Sequence, residues 1–94
     1  MQLRWLRGAL RNLDDEATYI ATHDPVAASR VVERILEAVA VLAEQPGLGR
    51  AGRVPGTREL MVQRTRYIVP YRVRGDVVEA LRVFHSSRRQ PHRW

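Results

Sequence analysis

The chain has 94 residues, enough for one domain with one modest core and too few for the deep cleft of a large enzyme. It has no cysteine, which excludes disulfides and thiolate metal sites, and no apolar stretch near the roughly 20 residues that a membrane span needs. All 16 basic residues are arginine; residues 1–47 hold 5 of them with 7 Asp or Glu, and residues 48–94 hold 11 with 3. The second half therefore predicts a positive face suited to nucleic acid or an acidic protein segment, and arginine favours forked contacts to phosphate or carboxylate. The start, MQLRWLRGALRNLDD, lacks the long apolar core of a secretory signal, so a cytoplasmic protein is expected.

In chain order, Gln2 to Leu6 reads as a short strand. Ala9 to about Thr22 reads as a helix with Leu10, Leu13, Ala17 and Ile20 as its apolar stripe and Asp14, Asp15 and Glu16 on the other side. Asp24 is a good N-cap and Pro25 suits the first helical position, so a second helix begins there. It runs to about Glu44 with Ala28, Val32, Ile35, Val39 and Leu42 facing inward, and Pro46-Gly47 ends it. The two helices are expected to form an antiparallel hairpin.

Gly47 to Thr57 carries four glycines and reads as a loop bearing Arg50 and Arg53. Three strands follow: Arg58 to Gln63, Tyr67 to Val73 and Val77 to His85, with turns at Arg64-Thr65-Arg66 and Arg74-Gly75-Asp76. Tyr67, Val69, Tyr71 and Val73 share one face of the middle strand. Pro70 cannot donate a ladder hydrogen bond, so pairing should be bulged or interrupted there. The last strand is apolar on both faces, as an interior strand would be. The expected fold is a single α+β domain over residues 1–94 in the order β-α-α-β-β-β. A helical hairpin would pack on one face of an antiparallel sheet, leaving the other face open unless a partner fills it.

The final strand runs out into His85-Ser86-Ser87-Arg88-Arg89, placing an imidazole and two guanidinium groups at one edge. The helical pair ending AVAVLAEQPGLGR, then VPGTREL, YIVPYRV and VVEALRVFHSSRRQP, in this order, resembles the RelE/ParE superfamily of type II toxins over nearly the whole chain. The ending is more similar to the ParE branch, whose members often finish with a strand, His, small residues, Arg and Pro. The resemblance implies a toxin held inactive by a co-transcribed antitoxin that wraps its C-terminal segment around it. An acidic segment would suit the positive half of this chain. It also implies that operator DNA is met through the antitoxin complex. ParE-like members are associated with inhibition of DNA gyrase, and RelE-like members cleave mRNA on the ribosome.

Metal-free RNA cleavage needs a base, an acid and cations at the phosphate. His85 and Arg88 are the candidates for such a catalytic set. Arg50, Arg53, Arg58, Tyr67, Tyr71, Arg82 and Arg89 are the candidates for contact with a target or antitoxin. The resemblance also marks departures from the nucleases. Ile68 follows Tyr67 where those enzymes often carry Arg, and Glu59 and Met61 stand on the preceding strand where Lys is common. The expectation is therefore a toxin that binds, most directly DNA gyrase, with ribosome-dependent mRNA cleavage as the alternative. No His, Asp or Glu cluster has metal-ligand spacing, and neither a metal nor a cofactor is expected.

Overall fold

A computed structural model describes residues 1–87 and Trp94. Strand β1 (Gln2–Trp5) leads into helices α1 (Arg7–Ala21) and α2 (Pro25–Val41). Strands β2 (Arg50–Ala51), β3 (Arg58–Met61), β4 (Tyr67–Arg74), β5 (Val77–Ala80) and β6 (Phe84–His85) follow. The sheet order is β1-β5-β4-β3-β2, with β6 also paired to β4. Four of its pairings are antiparallel, but β1 lies parallel to β5, so the sheet is mixed rather than wholly antiparallel. A parallel neighbour requires a long crossover, and here the helical hairpin is the first part of it.

The hairpin covers one face of the sheet. Ile35, Val39 and Leu42 meet Leu60, Val69, Tyr71 and Val78 in the core. Asp24 caps α2 by accepting the Ala27 N–H at 3.1 Å, and Pro25 occupies the first turn. In α1 the inward face is turned by about one residue from the expected stripe. Leu10 is half exposed, whereas Ala9, Leu13 and Glu16 are buried. Alanine at position 9 lets the helix start close to the sheet. Glu16 is drawn inward by a hydrogen bond from the Tyr67 hydroxyl at 2.9 Å.

Pro70 has the predicted effect, but on its neighbour. Strand β4 is continuous, while the last strand breaks between Ala80 and Phe84. Tyr71 faces Ala80 and Ile68 faces Phe84, so Leu81, Arg82 and Val83 stand opposite only Val69 and Pro70. This is a one-residue bulge at the site of the missing proline N–H. The Leu81 N–H still donates to the Pro70 carbonyl at 2.9 Å. The Val83 N–H donates at 3.1 Å to the side-chain oxygen of Asn12 on α1. The two expected turns are present, with Arg64 at φ 63° and Gly75 at φ 60°.

The second face of the sheet is covered in part. Val54, Pro55, Arg72, Leu81 and Trp94 line one concavity there, and Phe84 stacks on Trp94 with ring centroids 5.5 Å apart.

Candidate functional site

The imidazole of His85 leaves β6 beside Tyr67, its cross-strand partner, and the rings meet edge to face at 5.4 Å. The Ser87 N–H donates to His85 Nδ1 at 3.2 Å, and the Ser87 hydroxyl lies 2.7 Å from the same nitrogen. A main-chain N–H can only donate, so Nδ1 is an acceptor and the neutral ring carries its proton on Nε2. The Nδ1 lone pair is thus engaged within the turn, and the donor at Nε2 is left over. Arg88 and Arg89, expected beside His85, lie outside the described residues.

The two tyrosines expected at a contact surface are interior. Tyr67 is 6% exposed and Tyr71 is fully buried. The Tyr71 hydroxyl donates to the Pro46 carbonyl at 2.7 Å and accepts from the Gly49 N–H at 2.8 Å. It fastens the chain leaving α2 to the centre of the sheet. Tyr71 is therefore an anchor, because its polar atom is spent inside the molecule. Tyr67 serves similarly, tying β4 to Glu16 on α1.

The arginines fall into separate places. Arg50 is exposed and forms an ion pair with the buried Glu59 at 3.3 Å, and the Arg53 N–H donates to the other Glu59 oxygen at 2.9 Å. One carboxylate on β3 thus pins the incoming limb of the glycine-rich loop at two points while the Arg53 side chain stays at the surface. Arg58 donates to the Gly49 carbonyl at 2.8 Å. Arg82 lies against Gly8 in the first turn of α1 and donates to the main-chain oxygens of Leu81 and Trp94 at 2.7 and 2.6 Å. A side chain at position 8 would collide with that guanidinium.

Three features were not anticipated from sequence as sites. Glu16 is buried beneath Tyr67. Glu59 organises the arginine loop. On the second sheet face Glu79 sits between Arg4 and Arg72 in register; Arg72 Nε donates to it at 2.7 Å, and the Arg74 guanidinium lies 4.0 Å away as an ion pair. The Arg72 hydrogen bond holds the Glu79 carboxyl below its usual range. Burial pulls the other way, and the charges of Arg72, Arg74 and Arg4 reinforce the lowering. The signal for this cluster was present: a glutamate inside the apolar run VVEALRV requires a cationic partner.

A groove of about 430 Å³ runs between α2 and the β2–β3 edge, floored by Ala38, Val41, Leu48, Leu60 and Met61 with Arg50 at its rim. It continues toward Arg34 and Arg64. Among the described residues no group of three His, Asp or Glu side chains could hold a metal ion, and no helix is long and apolar enough to cross a membrane.

Residues 3–90 match the family model described as the ParE toxin of type II toxin–antitoxin systems, parDE. The chain belongs to the ParE toxin family. A relative from Sinorhizobium fredii, named "Putative toxin Y4kP", is 49% identical over 90 residues, covering 96% of this chain and 93% of its own. A solved chain from the chromosomal ParDE TA system of P. aeruginosa superposes with a TM-score of 0.80 at 34% identity, covering 90% of this chain and 95% of that one. Membership of the ParE family agrees with the departures at Glu59, Met61 and Ile68. The first is buried on β3, where it holds the glycine-rich loop, the second is half exposed and the third is a buried apolar side chain.

Proposed function

We propose that this chain is held inactive by a cognate antitoxin and, once free, acts in the cytoplasm by occupying a large target, DNA gyrase, without cleaving RNA. The observation that carries this reading is the state of His85. Its Nδ1 lone pair is engaged by the Ser87 N–H, and its ring neighbour Tyr67 is committed to Glu16. Ile68, one residue along, is apolar and buried.

The groove beside α2 supports an antitoxin partner. Its floor is apolar and Arg34, Arg50 and Arg64 stand along it. An acidic, amphipathic C-terminal segment would match both properties. Operator DNA would then be met through the antitoxin's own DNA-binding part.

Purified toxin should inhibit gyrase supercoiling and leave mRNA intact on programmed ribosomes. Unimpaired supercoiling at a large molar excess of folded toxin would remove gyrase as the target. Ribosome-dependent cleavage that is lost in His85→Ala would establish the nuclease alternative instead.

A further inference from the structure

We propose that the second sheet face, at the β1–β5–β4 end, is a docking surface for the phosphate backbone of duplex DNA, presented by Arg4, Arg72 and Arg74. This does not rest on gyrase being the target.

The three arginines share one side of three adjacent strands. Arg4 on β1 is in register with Glu79 on β5, which is in register with Arg72 on β4. Arg74 is two residues farther along β4 and therefore on the same face. Glu79 lies beneath them at 7% exposure and takes the Nε of Arg72 at 2.7 Å. That contact fixes the Arg72 stem, and among the described residues its two η nitrogens have no hydrogen-bond partner. Arg74 touches Glu79 only at 4.0 Å and its side chain is 68% exposed. Arg4 is exposed and forms no ion pair within 4.0 Å among the described residues. Asp76 in the adjoining turn is exposed and forms no ion pair within 4.0 Å among the described residues. Three forks thus stand over one carboxylate, and that carboxylate orients more than it neutralises.

The chemistry of the patch selects its occupant. A stable protein interface needs an apolar or aromatic anchor at its centre. Of the exposed large apolar side chains, Val41, Leu48 and Met61 line the groove beside α2, and Val73, between Arg72 and Arg74 on β4, alternates to the opposite face of the sheet. A single strand would need a row of free aromatic faces to stack its bases; the ring that lines a concavity with Arg72 is Trp94, and Phe84 already stacks on it. A duplex backbone needs only charge and forked donors. Neighbouring strands lie about 4.8 Å apart, so Arg4 and Arg72 are roughly 10 Å apart at the backbone. A duplex presents about six phosphate charges within that length of its axis.

The test uses the purified full chain and a labelled duplex of random sequence, roughly 20 base pairs long, titrated from about 50 to 200 mM salt. Arg4→Gln/Arg74→Gln leaves the Arg72–Glu79 pair intact, so its fold is preserved and circular dichroism checks this. It should weaken binding at least about tenfold at low salt and lower the log–log salt slope by about 2. Arg11→Gln/Arg30→Gln removes the same charge from exposed helix positions and should stay within about twofold of the parent. Equal losses in the two double variants would overturn the proposal, as would a parent chain that does not bind. Tighter binding of duplex RNA, or of a polyglutamate peptide, would overturn duplex DNA as the occupant.

Discussion

Glu16 and Tyr67, far apart in sequence, are joined by a 2.9 Å hydrogen bond from the phenol to the carboxylate, and both are buried. This contact locks α1 to the strand that faces His85. Tyr67→Phe should lower stability by about 1–3 kcal/mol, because it withdraws a donor from a buried carboxylate. Urea unfolding of Tyr67→Phe, Glu16→Gln and the double variant should give a non-additive cycle, with a coupling of at least about 0.5 kcal/mol. Additive losses would mean that the two groups act independently.

Tyr71 makes two hydrogen bonds with one oxygen. Tyr71→Phe strands the Pro46 carbonyl and the Gly49 N–H, and a loss of about 2 kcal/mol is expected. Hydrogen exchange should show the Gly49 amide losing protection well before the β4 amides do. Unchanged protection at Gly49 would contradict the anchoring role.

Two glycines should respond unequally to alanine. At Gly49 a β-carbon would lie 2.7 Å from the Tyr71 ring and 2.9 Å from the Glu59 carbonyl, neither of which can move freely. Gly49→Ala should cost about 2 kcal/mol or more. At Gly8 the obstacle is the Arg82 guanidinium, the far end of a flexible side chain. Gly8→Ala should be nearly neutral in a thermal melt, the helix gain offsetting the displaced arginine.

Glu79 makes stability depend on pH in a defined direction. Its carboxyl titrates below the ordinary value of 4.5 when folded, chiefly through the Arg72 hydrogen bond. The folded state therefore binds fewer protons than the unfolded state between those two values. The stabilisation is fully present above pH 4.5 and is lost as pH falls through the lowered value. Glu79→Gln should be less stable than the parent at neutral pH and should lose less on acidification. Parallel stability–pH curves for the two proteins would refute the assignment.

Much of the fold was legible because periodicity and punctuation agree. The Asp24-Pro25 helix start, the inward residues of α2 and the turn at Gly75 each rest on local chemistry that tertiary structure did not override. The rotation of α1 was not legible, since Leu10 looks more apolar than Ala9, yet only Ala9 permits close approach to the sheet. The parallel β1–β5 pairing depends on contacts between the two ends of the chain, which no local pattern encodes. The candidate site was read in part. The tail motif and the basic half were visible, but the burial of Tyr67 and Tyr71 follows from alternation on a strand whose helix-facing side only the folded topology identifies.

The bulge opposite Pro70 decides where the imidazole appears. Residues along a strand point alternately to one face and the other, so each position carries a parity. An unbroken register from the Tyr71–Ala80 pair would set Phe84 opposite Tyr67 under the helices and turn His85 toward the other face. The extra residue among Leu81, Arg82 and Val83 reverses that parity. His85 then meets Tyr67, and Phe84 faces Trp94. Removing one residue from this trio would exchange the two aromatic side chains between the faces of the sheet. The address of the histidine on this molecule is written in part by a proline on the neighbouring strand.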